Sequence, residues 1–300
     1  MPECLIKHPL TIEITMKRLL IITLILISLN SYAQTSQVFD AETMHSEILN
    51  MDRKYAVYLP PSYETSSRSY PVLYLLHGGG DDQTGWVQFG EVQRIADKAF
   101  DEMIATEMII IMPDADTGKR GYFNTPDNTW RYEDFFFEEL VPYVENKYRI
   151  KSEKRYRAVA GLSMGGGGSY FYAMRHPELF SSACPLSASV RNYDKETLKS
   201  WLDRTNTTYT DAQLNAYLEK QSSLRMLENA DLDAIKKVKW YFSCGDDDFL
   251  YEGNSLVHIA FRQKEIAHEF RIQDGAHNWT YWRTELPNVL DFVSDTFHQK

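Results

Sequence analysis

Arg157-Ala158-Val159-Ala160-Gly161-Leu162-Ser163-Met164-Gly165-Gly166-Gly167-Gly168 is the stretch on which the fold turns. A strand-like run, 157–160, leads into a serine flanked by glycines, and a helical pattern follows over 164–175. A serine at a sharp strand-to-helix turn needs such glycines, because side chains there would strike the neighbouring strand or helix. Taken alone the pattern Gly-x-Ser-x-Gly is weak, since composition supplies it in roughly one chain in ten of this length. An idle serine in a glycine-rich turn is the bland alternative, and only independent features of the chain displace it.

The first of these is His77-Gly78-Gly79-Gly80, directly after the apolar run 72–76. A serine nucleophile needs backbone N–H donors aimed at the oxyanion that develops on its substrate. Met164, just after the serine, supplies one; the loop after the first buried strand supplies the other, at Gly79 with Gly80 the near alternative. His77, at a strand end, reads as a structural hydrogen-bonding residue.

A neutral hydroxyl also needs a base. The chain order serine, acid, histidine confines the base to histidines after Ser163. His176 ends the helix that follows the serine, His258 lies in a helical pattern, His268 at a strand edge and His298 in the tail. His277, in Gly275-Ala276-His277-Asn278-Trp279, falls between the last strand and the last helix, which brings it to the sheet edge beside Ser163. The orienting acid should follow the preceding strand, where Cys244-Gly245-Asp246-Asp247-Asp248-Phe249 offers three carboxylates. One suffices to hold the imidazole; the other two read as loop or cap acids. A cation site is disfavoured, because adjacent side chains diverge, and no Cys/His spacing resembles a zinc site. Neither metal nor cofactor is expected.

The rest of the chain frames these residues. Segments 38–49 and 53–59 read as an opening antiparallel pair. The continuous apolar runs 72–76 and 108–112 suit strands buried on both faces, and 155–160, 182–186, 238–244 and 269–272 are weaker members of the series. Helical patterns fall at 92–104, 132–148, 164–175, 255–266 and 279–297. This alternation predicts an α/β fold with a mostly parallel central sheet flanked by helices. The polar stretch 187–237 breaks the rhythm, with helix-like pieces at 196–201, 211–221 and 224–227, and reads as a cap-like helical insert before the strand that carries the acid.

The chain has 300 residues, 43% hydrophobic and 25% charged, with a formal charge of −10. A phosphate-binding footprint is not expected, and nucleic acid is excluded as a partner. Met16-Lys17-Arg18, an apolar run over 19–29 and Ser31-Tyr32-Ala33 before Gln34 make a signal peptide over 16–33, with 34–300 as the exported domain. The apolar run is short for a membrane span and no basic stop-transfer cluster follows, so no stable span is expected after cleavage. Residues 1–15 do not fit the leader, and Met16 reads as the natural start. The location is then periplasmic or secreted. Of three cysteines, Cys4 lies before the leader; Cys184 and Cys244 sit in apolar stretches and read as buried thiols, with a disulfide permitted by export.

Leu76-His77-Gly78-Gly79, Gly161-Leu162-Ser163-Met164-Gly165-Gly166, His176-Pro177-Glu178-Leu179-Phe180, Cys244-Gly245-Asp246-Asp247-Asp248-Phe249-Leu250 and Gly275-Ala276-His277-Asn278-Trp279-Thr280-Tyr281-Trp282 together resemble the esterase-D-like α/β-hydrolases. That group includes the feruloyl and acetyl-xylan esterases of carbohydrate esterase family one. The resemblance covers most of the chain after Arg53 and implies a serine carboxylic-ester hydrolase with an acyl-enzyme. It implies catalytic Ser163, Asp248 and His277, the acid being the one just before Phe-Leu. Export turns the expected substrate toward feruloyl or acetyl groups on plant polysaccharide. A general short-chain carboxylesterase and an acyltransferase to a sugar hydroxyl are the alternatives. Tyr122, Phe123, Trp130 and Trp279 are candidates to line the substrate pocket, with core packing the competing role. Two positions depart from the pattern: Asn278 stands where the family usually has Asp, and the insert 187–237 is long.

Overall fold

The computed structural model describes residues 35–115, 121–190, 194–202 and 209–298; the leader at 16–33 and the preceding segment lie outside the described residues. Eight strands form one sheet: β1 (Gln37–Ser46), β2 (Met51–Leu59), β3 (Val72–Leu76), β4 (Ile109–Pro113), β5 (Arg157–Leu162), β6 (Ser182–Leu186), β7 (Lys239–Gly245) and β8 (His268–Gln273). Their order is β1-β2-β4-β3-β5-β6-β7-β8. β1 pairs antiparallel with β2, and β2 with β4; every later pairing is parallel. This is the α/β-hydrolase fold.

Strand alternation sorts the core onto two faces. Val72, Tyr74 and Leu76 of β3 join one apolar cluster, while Leu73 and Leu75 join the other. The second face is covered by α1 (Val92–Asp101) and by the last helix, Trp279–His298, through Leu286, Val289, Leu290 and Val293. On the first face lie a helical segment running from Tyr132 through α2 (Val141–Lys147), then α3 (Met164–Arg175) and the helix Tyr251–Gln263. The expected helix over 132–148 is not one regular helix. Phe135–Leu140 is a π-helix, a widened turn that carries Phe135, Phe136 and Phe137 at its start.

The insert is helical where the polar pattern predicted it: α4 (Lys195–Leu202), α5 (Asp211–Gln221) and α6 (Ser223–Glu228), followed by a short turn, α7 (Leu232–Ile235). Thr210 and Gln213 form a reciprocal capping box at the start of α5. Leu198, Leu214, Tyr217 and Leu218 make a small core of their own, and Ser223 ties α6 to the body by accepting from the Tyr170 hydroxyl through its carbonyl oxygen. Two further helices are α8 (Tyr251–Gln263) and α9 (Trp279–His298).

The parallel register decides where chemistry can gather. Leu76 of β3 pairs with Gly161 of β5, Leu162 with Leu186 of β6, and Gly245 of β7 with Gln273 of β8. The loops after β3, β5, β6, β7 and β8 therefore leave from one carboxyl edge, the usual ligand edge of an open α/β sheet. Cys184 and Cys244 are buried free thiols with no disulfide between them. Among the described residues no helix is long and apolar enough to cross a membrane, and no cluster of three or more His, Cys, Asp or Glu is arranged to hold a metal ion.

Candidate active site

Ser163 stands between β5 and α3 with φ 54° and ψ −113°, a backbone conformation rarely adopted by a residue with a side chain. Backbone hydrogen bonds hold it there. Its N–H donates to the Leu186 carbonyl at 2.9 Å, and its own carbonyl accepts from Gly167 and Ser189, each at 2.9 Å. The flanking glycines are required by contact: a Cβ on Gly161 would lie 2.4 Å from the Gly165 oxygen, and one on Gly165 would lie 2.4 Å from the Leu76 oxygen. The turn thus lifts the Ser163 hydroxyl clear of the sheet at the N-terminus of α3, where the helix dipole favours negative charge.

His277 arrives on the loop between β8 and α9. Its Nε2 lies 2.9 Å from Ser163 Oγ, and its Nδ1 lies 2.8 Å from Asp248 Oδ2. Asp248 is fully buried and also accepts the Leu250 N–H at 2.8 Å. Burial alone would push its carboxyl up, but the hydrogen bonds from His277 and the Leu250 N–H, with Ser187 beside it, prevail and hold it below the usual carboxylate range. Asp246 and Asp247 are exposed, and Asp246 accepts the Gly275 N–H at 3.0 Å, which laces the acid loop to the histidine loop. The choice among the three carboxylates is therefore made by direction: Asp248 alone turns inward to His277.

The loop after β3 completes the edge. His77 is buried; the Ala115 N–H donates to its Nε2 at 2.9 Å, so its proton sits on Nδ1 and is donated to the Gly78 carbonyl at 2.8 Å. In a trans peptide the N–H points opposite to the carbonyl. The Gly79 N–H is thereby turned away from His77, and it donates to no protein acceptor among the described residues. Met164 is the first residue of α3, so its N–H has no acceptor inside the helix. A Cβ built on Gly78 would lie 3.6 Å from Ser163 Cβ, which measures how closely this loop approaches the serine.

Burial pushes the His77 imidazole below its ordinary range and outweighs the opposing pull of the Gly78 carbonyl and of Asp114, Asp81 and Asp82. The native state holds it neutral, whereas the unfolded chain takes up a proton below about pH 6.5. The contribution from keeping His77 neutral is therefore intact above that pH and is lost as pH falls below it, with a slope reaching about 1.4 kcal/mol per pH unit. Urea midpoints from pH 8 to 5 should fall more steeply for the natural chain than for His77→Gln; parallel curves would refute this.

The four aromatic candidates separate. Tyr122 is fully buried: its hydroxyl donates to the His77 carbonyl at 3.2 Å, and its ring packs against Tyr132 and Tyr172. It props the loop after β3 from beneath and is corrected from a pocket-lining residue to a supporting one. Trp130 is also buried, under the guanidinium of Arg53 and beside Tyr132, and is likewise corrected to core packing. Phe123 is half-buried against Phe171, Tyr172 and Arg175, well along α3 from Ser163, so it too lies away from the serine. Trp279 is half-exposed and packs on Trp86, Phe89 and Trp282; Trp282 in turn meets the His277 ring edge-on at 4.9 Å.

Two residues at the site were not singled out from sequence. Phe249 is 62% exposed, with its ring 4.4 Å from that of His277. An exposed ring immediately after three aspartates was the available signal. Ser187, buried beside Asp248, carried none. The departure at Asn278 is explained locally: its side-chain oxygen caps α9 by accepting the Tyr281 N–H at 3.1 Å, a task Asn and Asp share.

The Esterase family profile matches residues 46–293. An esterase of Mycobacterium tuberculosis is 39% identical over 141 residues, 45% of this chain but 29% of that protein. An endo-1,4-beta-xylanase/feruloyl esterase of Xylanibacter ruminicola is 32% identical over 147 residues, 46% of this chain and 20% of that protein. The chain thus matches less than a third of the length of either. The solved structure of a ferulic acid esterase superposes with a TM-score of 0.77 at 36% identity, covering 88% of this chain and 99% of that one.

Proposed function

Since the chain belongs to the Esterase family, we propose that it is an exported serine hydrolase that removes feruloyl or acetyl groups from plant polysaccharide. The observation that carries the reaction type is the unbroken line from Ser163 Oγ through His277 to the buried carboxylate of Asp248. Ser163 Oγ attacks the ester carbonyl as its proton passes to His277 Nε2. Asp248 accepts from Nδ1, fixing the tautomer and stabilising the imidazolium. The oxyanion is received by the Gly79 and Met164 N–H groups. Collapse expels the sugar hydroxyl, which takes its proton from His277 and leaves an ester on Ser163. Water then adds, giving its proton to His277, and the carboxylic acid departs as Ser163 regains its hydrogen. No metal or cofactor enters any step.

The substrate preference is supported by three things. The 36%-identical structure is that of a ferulic acid esterase, and a curated relative joins feruloyl esterase to xylanase. Segment 16–33 has the layout of an export leader. Phe249 offers an exposed ring beside His277, with Trp279 and Phe89 nearby, and flat rings suit both an aromatic acyl group and the face of a sugar.

Rates on methyl ferulate, acetylated xylan and short p-nitrophenyl esters test this reading, with the products analysed in the presence of a sugar acceptor. Methyl ferulate or acetylated xylan should be cleaved to free acid at least tenfold more efficiently than the simple esters. Cleavage of simple esters alone would make it a general carboxylesterase, and acyl transfer to the sugar would make it a transferase. The exported chain should begin at Gln34.

A further inference from the structure

Phe249 and Trp282 both touch the His277 ring, and they differ in exposure. Trp282 meets it edge-on at 4.9 Å from α9, is buried, and donates its indole N–H to the Ser187 hydroxyl at 3.0 Å. Phe249 meets it at 4.4 Å with the two rings inclined by 50°, and is 62% exposed. That placement follows from the turn between β7 and α8. Asp248 and Leu250, on either side of Phe249, are both buried. The Leu250 N–H donates to Asp248 Oδ1 at 2.8 Å, and the Tyr251 N–H donates to the Asp248 carbonyl at 3.0 Å. With its neighbours pinned inward, the middle side chain is left outside, against the imidazole. A single exposed ring needs no explanation on most surfaces. This one lies against the proposed base.

We propose that Phe249 is a specificity-determining residue that receives the alcohol part of the ester, a neutral sugar, and not its acyl group. This rests on the triad and the substrate class given above. Collapse of the tetrahedral intermediate breaks the bond from the carbonyl carbon to the leaving oxygen, and that oxygen takes its proton from His277 Nε2. The leaving oxygen must therefore come within hydrogen-bond reach of that nitrogen. Whatever the oxygen carries continues past the imidazole, while the acyl group stays behind on Ser163 Oγ. An exposed ring standing against the imidazole is thus on the alcohol side. The apolar face of a sugar packs well on such a ring. Asp246, Asp247 and Glu252, all exposed, flank Phe249 in the chain. Their carboxylates can accept from sugar hydroxyls and repel an anionic leaving group.

Esters that share an acyl or an alcohol part separate the two sides. For the natural chain, Phe249→Ala and Phe249→Tyr, kcat/KM is measured on methyl ferulate, on a feruloylated arabinoxylan oligosaccharide, and on the same oligosaccharide carrying acetyl in place of feruloyl. In Phe249→Ala the ratio of feruloyl sugar to methyl ferulate should fall by about tenfold, the worth of one stacked ring. The ratio of feruloyl to acetyl on the sugar should change by less than about twofold. Phe249→Tyr keeps the ring and should hold both ratios. Neither ratio depends on how much enzyme is folded, so a destabilised variant still decides the matter. Equal losses on the two ferulates would make Phe249 a cover for His277 and overturn the proposal. So would a shifted feruloyl-to-acetyl ratio, which belongs to an acyl-side ring, or a tyrosine variant as impaired as the alanine one. A natural chain that cleaves methyl ferulate but neither sugar ester would instead bring down the polysaccharide reading, and this role with it.

Discussion

Replacing Ser163 with alanine is expected to cut ester cleavage by about ten-thousand-fold or more while leaving the urea midpoint essentially unchanged. The backbone of the turn is held by the Leu186, Gly167 and Ser189 hydrogen bonds, none of which uses the hydroxyl, and alanine meets the same conformational strain as serine. On the proposed mechanism the lost group is the nucleophile alone. The residue of activity should come from the Gly79 and Met164 donors acting on bound substrate attacked by water. Initial rates on methyl ferulate and p-nitrophenyl acetate, measured beside a denaturation curve, check both halves. Activity within tenfold of the natural chain would refute the assignment.

The second large effect is on stability. Gly165→Ala should destabilise the fold by about 3 kcal/mol, although alanine is the better helix former by about 1 kcal/mol. The new methyl would lie 2.4 Å from the Leu76 oxygen and 2.6 Å from the His77 oxygen, both backbone atoms of the strand end that cannot step aside. To admit it, α3 must lift from β3, and the loop that carries Gly79 moves with it. Catalysis should therefore fall further than the folded fraction does. Gly79→Ala is the contrast, because its nearest neighbour would be the Met164 sulfur at 4.0 Å. Urea unfolding of both variants decides the matter; a Gly165→Ala midpoint equal to the natural one would show that the elbow is looser than these distances imply.

What could be read in the sequence was set by local rules. β3 and β6 appear at the expected residues because a short apolar run bounded by turn residues has few other uses. The elbow was legible because its glycines are imposed by contacts with the flanking strand and helix. Which aspartate would serve was not decided by composition, since neighbours in a loop differ only in the direction they face. Tyr122 and Trp130 mark the other limit. A ring in a long loop looks alike whether it lines a pocket or fills a core, and burial at Tyr122 is settled by Tyr132 and Tyr172. The π-turn at Phe135–Leu140 has no sequence period of its own, because one widened turn shifts the helical phase without changing residue type.

The bond between His277 and Ser163 joins residues 114 positions apart, across β6, the insert, β7 and β8. During synthesis the proposed nucleophile emerges long before its proposed base, and a chain halted anywhere in between holds Ser163 without His277 beside it. On the proposed triad, reactivity would be withheld until the last crossover has docked, and turnover would report completion of the sheet.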